Sequence, residues 1–518
     1  MSQTSSNNKR IAKNTLLLYF RMFVMAVIGL FTSRVILQTL GVEDFGIYNV
    51  VGGIVAMMGI LNSSMSVSTQ RYLTFELGKG EENFPQLHKT FCISFNIFVG
   101  LSLVFIFLAE TVGLWFLNTQ LVIPPERMTA ANWVYQFSVI SVVNSLMMNP
   151  YNAIIIAHEK MDVYAYLSIV EVVLKLGIVY LLTIVPFDRL ITYGFLFLLL
   201  SLFITMLYRF YCIRHFKESK YHYVSDKQMY KELASYSGWN LFGSGAALFK
   251  GQGLNILLNM FFNPSVNAAR GIAYQINTHI TLFFTNFYTA VRPQITKYYA
   301  QNELDNMFKL VFRSSKMAFF LIFLVALPIV VEAPYIVELW LGQLPEYVVP
   351  FVRLIVVISA VDAMANPLMT TAHATGRIAL YQSTVGTMVM MNIPVSYFLL
   401  SYYGCGPVVV FVVSLVISVI CLFMRLWIVK RLVNFPVLRY IKEVFGSCLL
   451  VAALSLVVPL LLYLQMEVNF LSVCIVCLAC LICSCGSVFF IGLTKTERTT
   501  VLDMIKKKVF HKNDTAGS

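Results

Sequence analysis

The stretch Thr15–Leu40, TLLLYFRMFVMAVIGLFTSRVILQTL, decides the fold class. It holds only two charges, Arg21 and Arg34, and is longer than the roughly 20 apolar residues that one membrane-crossing helix needs. The segment before it, MSQTSSNNKRIAKN, is polar and basic, and no small-residue cleavage site follows the apolar run. The run is also too long for the core of a secretory signal, so it reads as a retained first span.

The rest of the chain has the same character. Of 518 residues 58% are hydrophobic and only 12% charged, with a mean hydropathy of +0.75. Soluble domains run nearer 45–50% apolar and about 25% charged, so a water-soluble protein is excluded. Breaks made by Pro, Gly and charge divide the chain into fourteen candidate spans, at 14–40, 45–69, 90–117, 131–157, 162–185, 190–213, 236–262, 266–295, 310–334, 348–372, 378–402, 406–429, 443–464 and 470–493. Spans seven and eight are rich in Gly, Asn, Gln and Thr, which suits helices facing protein or water. The class is therefore an all-α polytopic membrane protein. No loop is long enough for a soluble catalytic domain, so an enzyme is not expected.

The net charge of +13 is read as topology. With the N-terminus inside, the inner tails and loops carry thirty Lys or Arg, and the outer loops carry only Arg127, Arg189 and Arg270. That asymmetry predicts both termini in the cytoplasm. The basic amphipathic tail, 494–518, is expected on the inner leaflet.

A signature recurs six spans apart. Asn149-Pro150 and Ala157-His158 at the end of span four are followed by Tyr166 and Ser168; Asn366-Pro367 and Ala372-His373 at the end of span ten are followed by Tyr381 and Ser383. Each Tyr lies eight residues after its His and each Ser ten. The spacing predicts a six-plus-six parallel repeat about an axis along the membrane normal. The expected division is an N-terminal tail (1–13), a first lobe (14–216), a cytoplasmic linker (217–235), a second lobe (236–432), two further spans (433–493) and the C-terminal tail (494–518).

Charges inside spans are costly and so mark candidate sites. Glu171 and Lys175, one turn apart, can neutralise each other. Arg21 and Lys250 have no carboxylate within a turn on their own helices. With Arg34, Arg71, Arg270 and Arg292 they form a cationic column on the first two helices of each half, suited to an anionic substrate. For Arg34 the plainer alternative is pairing with Glu43 or Asp44, and for Arg270 capping of a loop. Asp362 and Glu110 are candidates for ion coupling, with pairing to a neighbouring helix as the plainer role for Asp362. No metal or nucleophile constellation and no P-loop occurs, and no cofactor or nucleic-acid partner is expected. The cysteines Cys474, Cys477, Cys480, Cys483 and Cys485 read as small packing residues of one span.

The text YFRMFVMAVIGLFTSRVILQTLGVEDFGIYNVVGGI followed by MSVSTQRYL resembles the polysaccharide-transporter branch, the Wzx-type flippases, of the multidrug/oligosaccharidyl-lipid/polysaccharide exporter superfamily. The resemblance rests on Ser33-Arg34, Leu40-Gly41, Asp44-Phe45-Gly46, Gln70-Arg71 and the fourteen-span count, and extends loosely over the first twelve helices. It implies two six-helix lobes around a cavity, alternating access, and transfer of an undecaprenyl-diphosphate-linked oligosaccharide from the inner to the outer leaflet of the bacterial inner membrane. It also implies a diphosphate held by Arg21, Arg34, Arg71, Lys250 and Arg270, to which the cationic column adds Arg292, with the lipid-linked glycan, membrane lipids and other polysaccharide-assembly proteins as partners. Tyr274, Tyr288 and Trp239 are candidates for stacking on sugars, with anchoring at the membrane interface as the plainer role. A cation-coupled multidrug exporter and a peptidoglycan lipid flippase stay open as alternatives.

Overall fold

A computed structural model describes residues 3–56, 59–119, 123–262, 264–342, 344–495 and 497–499. Among these there is no strand; helices fill almost the whole chain, as bilayer solvent requires of a backbone whose N–H and C=O groups find no water. Eleven described helical segments are long and apolar enough to cross a membrane. The chain is a multi-pass membrane protein. Most of the expected tail lies outside the described residues.

The first two spans are not separated by a loop. Helix α1 (Gln3–Ala56) runs through both and kinks at Gly41, where φ is +81°. The Leu40-Gly41 pair is therefore a one-residue bend that a side chain would strain. The second span continues as α2 (Gly59–Gly78), then α3 (Phe84–Leu108), a π-helical turn Ala109–Gly113 and α4 (Leu114–Thr119) make the third. Next come α5 (Met128–Ala157), α6 (Met161–Leu182) and α7 (Arg189–His215). Helices α8 (Lys227–Phe261) and α9 (Pro264–Ala300) are spans seven and eight, extended beyond their apolar parts. They and α2 fall outside the eleven apolar segments, because their polar residues lower the hydropathy that defines such a segment.

Then follow α10 (Leu304–Val331), the short α11 (Ala333–Leu341) and α12 (Val348–Ala374). Span eleven is two helices, α13 (Ala379–Met390) and α14 (Asn392–Tyr403), and span twelve is α15 (Val409–Val433). The last two spans are built on α16 (Val437–Tyr440), α17 (Gly446–Gln465) and α18 (Phe470–Ser487). Exposed Leu449, Leu450, Leu454, Leu464, Leu478 and Ile482 make α17 and α18 apolar outside, as lipid demands.

The chain forms two compact units. The first contains residues 1–245, 289–307 and 373–383, so it gathers the ends of α9 and α12 with α1–α7. Its interior packs Val51, Phe98, Ala131, Val134 and Tyr135 in one cluster and Leu73, Phe91, Ile154 and Cys212 in another. Away from the chain's N-terminus it is fastened by Arg127, which pairs with Asp44 and with Asp188 at 2.5 Å. Burial opposes the charge of Asp188, but hydrogen bonds from the Ile191 N–H and Arg127 outweigh it and hold its pKa below the usual carboxylate value. The second unit contains residues 246–288, 308–372 and 384–518. In it Glu497, after the last span, pairs with Arg313 at 3.4 Å and Lys316 at 3.5 Å.

Candidate functional site

The turn after α5 concentrates charge. Lys160 N–H bonds Ile155 C=O (3.0 Å) and Glu159 N–H bonds Ile156 C=O (2.9 Å), the crossed pair that closes a helix when the residue after the cap is left-handed. That residue is normally glycine; here it is Glu159, at φ +59°. Its side chain is 1% exposed and is gripped from several directions. Arg10 Nη2 lies 2.6 Å from Oε2, Lys297 Nζ lies 2.6 Å from Oε1, and Gln294 Nε2 donates to Oε2 at 2.5 Å. Asn14 Nδ2 donates to the Glu159 carbonyl at 3.3 Å. One buried carboxylate thus ties the start of α1 and the end of α9 to the α5–α6 turn. Beside it, His158 Nε2 lies 2.5 Å from Glu218 Oε1 and its ring stacks on Phe216. Burial works against the Glu218 charge, yet the His158 contact and the local backbone N–H hold its pKa below normal.

The end of α12, in the same unit, is closed from outside. Arg71 on α2 donates from Nε to the His373 carbonyl (3.1 Å) and from Nη2 to the Ala374 carbonyl (2.6 Å). These are last-turn carbonyls at the negative end of the helix dipole, and the His373 carbonyl also accepts the Gly376 N–H at 3.0 Å. The guanidinium is buried under aromatic rings, 4.6 Å from the Tyr72 centroid and 4.7 Å from that of Phe75. Gly376 at φ +77° completes the turn, and a Cβ there would meet Arg71 Nη2 at 2.9 Å. Both its backbone angle and its closeness to Arg71 require glycine. Arg292 donates to Gln70 Oε1 at 3.4 Å, next to Arg71 in sequence.

The other cations of the column behave differently. In the first unit, Arg21 has its guanidinium 4.4 Å from the Tyr164 ring centroid and its Nε 3.3 Å from Met25 Sδ, with no salt bridge among the described residues. The side chain of Arg34 lies outside the described residues, and Asp44, a partner considered for it, is bound to Arg127. In the second unit, Arg270 donates to the Gly251 carbonyl (2.6 Å) and to Asn255 Oδ1 (3.2 Å) and lies over Tyr274. It joins α9 to α8 through neutral acceptors, with no carboxylate within salt-bridge distance among the described residues. Lys250, on α8, also makes no salt bridge among the described residues, and lies in electrostatic reach of Asp362 and Arg425.

The carboxylates divide likewise. Asp362 accepts a hydrogen bond from Ser418 Oγ at 2.6 Å and lies 3.8 Å from Arg425, so a neighbouring helix does supply its partner. Glu110 is exposed and accepts from Gln136 Nε2 at 3.1 Å. Glu171 and Lys175 form the expected one-turn pair at 2.6 Å. Tyr288 donates to the Asn366 carbonyl at 2.9 Å in the second unit, and Trp239 borders a cavity in the first.

Sequence reading passed over Glu159 and Arg425. Glu159 had one legible signal, a carboxylate directly after a helix-ending His in a short loop whose role is otherwise to carry positive charge. Arg425, grouped with the inner basic residues, is two turns inside α15 and so faces protein at span depth.

No family model and no curated protein matches the sequence. Solved structures do match. A multidrug resistance MATE family transporter of the MOP superfamily, in an outward-facing conformation, superposes with a TM-score of 0.70 at 12% identity over 83% of this chain and 97% of its own. A MATE structure in the bent conformation gives 0.68 at 13% identity over 84% and 99%. A MOP superfamily transporter from Pyrococcus furiosus, noted for the reverse polarity of its binding pocket, gives 0.68 at 13% identity over 83% and 96%. At such identities the likeness speaks to architecture: the chain has the fold of the MATE transporters of the MOP superfamily.

Proposed function

We propose that this protein is a flippase that moves an undecaprenyl-diphosphate-linked oligosaccharide across the bacterial inner membrane by alternating access, with both termini in the cytoplasm. The observation that carries the reading is the set of cations on membrane helices with no carboxylate at salt-bridge distance among the described residues: Arg21 in one unit, Lys250 and Arg270 in the other. A charge at such depth is expensive unless an anion arrives to meet it. A diphosphate cannot cross about 30 Å of hydrocarbon unaided, whereas a polyprenyl tail can stay in lipid. The protein need only offer cationic, polar walls to the headgroup. Arg34, Arg71 and Arg292 complete the proposed diphosphate set, and Asp362 and Glu110 are the proposed ion-coupling carboxylates. The Pyrococcus transporter of the same fold, with its reverse-polarity pocket and suggested different function, supports a departure from drug export.

The test is translocation of labelled lipid-linked oligosaccharide in proteoliposomes. Replacing Arg21, Arg34, Lys250 or Arg270 by Ala should weaken binding by about 10- to 100-fold each, the worth of one charge-assisted bond, with normal protein levels in the membrane. Lys for Arg should restore only part, because an ammonium lacks the planar fork. Full flipping with all four neutralised refutes the mechanism. A glycan panel that includes a peptidoglycan lipid precursor decides between the two lipid cargoes. Orientation is tested by a Cys at Glu126, which should react with an impermeant thiol reagent from outside, against one at Lys227, which should not.

A second reading, a cation-coupled drug exporter, is favoured by Asp362, whose side chain is 44% exposed on a membrane helix. Ethidium efflux that vanishes in Asp362→Asn, with no lipid flipping by the wild type, would establish it instead.

A further inference from the structure

One cavity of the first unit is not used by the reading above. It holds roughly 360 Å³, near the lower end of the 300–1,000 Å³ typical of ligand sites. Its walls come from the end of α2, the first turns of α8 and the turn after α12, all at the end of the unit from which α1 starts. The lining combines three kinds of group. Tyr72 and Trp239 offer aromatic faces; Gln228 and Glu232, joined by a 3.1 Å hydrogen bond, offer a polar edge; Lys231 and Arg377 are exposed cations. Neither cation makes a salt bridge among the described residues, although many basic residues of the chain do.

We propose that this cavity is a second binding site, which takes the phosphorylated sugar head of a lipid at the mouth of the protein before translocation. The phosphate goes to Lys231 and Arg377, both of which can give charge-assisted hydrogen bonds. The C–H face of a sugar ring lies on Tyr72 or Trp239, and its hydroxyls donate to Glu232 and bond with Gln228. A simple phospholipid would use the two cations and leave the ring faces and the acidic edge idle. The position at helix ends matches headgroup depth, where a lipid can present its head while its tail stays in the bilayer. Arg71 lies behind the Tyr72 and Tyr236 rings that border this cavity, so an occupant would rest directly against the contacts that close α12.

The lipid named here rests on the flippase reading, and the experiment separates the two. Full-length protein in phosphatidylcholine nanodiscs is titrated with polyprenyl diphosphate–N-acetylglucosamine, with polyprenyl diphosphate alone, and with phosphatidylglycerol, and bound lipid is counted by native mass spectrometry. The double variant Lys231→Ala/Arg377→Ala should bind one sugar-bearing lipid fewer than the wild type, and Trp239→Ala should weaken the sugar-bearing lipid but not the bare diphosphate. In flipping assays the double variant should raise the half-saturating concentration about a hundredfold, as loss of two charge-assisted contacts would, and leave the maximal rate unchanged. Lys231→Arg/Arg377→Lys should restore binding, which a merely structural defect would not allow. An unchanged lipid count in the double variant, or phosphatidylglycerol held as tightly as the sugar lipid, overturns the site. Sugar-lipid binding that depends on these residues in a protein that flips nothing supports the site and overturns the flippase reading.

Discussion

After α5 the chain turns on Glu159, and after α12 it turns on Gly376, although the two helix ends share Asn-Pro, Ala-His and the same spacing to Tyr and Ser. The first turn carries its own charge outward to partners: Glu159 takes Arg10, Lys297 and Gln294, and His158 takes Glu218. At the second the charge on the helix end comes from outside, because Arg71 reaches from α2 to the His373 and Ala374 carbonyls while the turn's own cation, Arg377, is exposed. The residues after each His diverge in the same sense, with Tyr166 61% exposed and Tyr381 2% exposed. A repeated sequence signature therefore fixes where a helix ends and leaves open which side of the contact supplies the charge. If the proposed alternating access holds, both turns suit a latch, since each joins elements distant in sequence through contacts that can be exchanged for water.

The sharpest way to break the comparison is to remove the carboxylate. Glu159→Ala should destabilise the protein by about 3–5 kcal/mol, the cost of leaving buried cations without their partner. The check is the apparent melting temperature in detergent at a fixed scan rate. Glu159→Gly should lose less than Ala by roughly 1 kcal/mol, because glycine adopts the left-handed angle without strain. Equal losses would mean that the backbone angle carries no cost.

Next in size is the second turn. Gly376→Ala should cost about 2–3 kcal/mol, combining a strained left-handed alanine with displacement of the Arg71 guanidinium. Arg71→Ala in the same background should then add little, since both changes remove the same contact. Additive losses would separate the two residues.

Acid should act on the first turn through Glu218. Its pKa is lowered in the folded protein, so its contribution is present above the ordinary carboxylate value of about 4.3 and is lost as pH falls through the lowered folded value. Glu218→Gln should therefore flatten the fall in stability below about pH 4 and cost about 1–2 kcal/mol at neutral pH. A melting curve with unchanged pH dependence would place the acid-sensitive group elsewhere. The smallest effect belongs to Lys175→Met. Its pair with Glu171 is about one-third exposed on both sides, so no more than about 0.5 kcal/mol should be lost.

How far the sequence reaches is visible residue by residue. The apolar runs marked the helices because a bilayer admits few other backbones, and the Glu171–Lys175 pair was legible because one helical turn fixes its distance. Gly41 was legible as a break but not as a bend inside one helix. Asp362 showed itself as an intramembrane acid, while its partners Ser418 and Arg425 are some sixty residues away in sequence and follow no local spacing. For Arg71 the sequence supplied a cation at a helix end, and its task there depends on carbonyls some three hundred residues later.

By itself, then, the sequence determined the class of solvent, the helical backbone and the places where spans end, because hydrophobic length and helix-breaking residues act locally. Only the tertiary structure decided which charges are spent on helix ends and which stay without a carboxylate. That choice depends on contacts between helices distant in sequence, where a few ångströms separate a buried ion pair from a free cation and Coulomb energy in a low-dielectric interior makes the difference large.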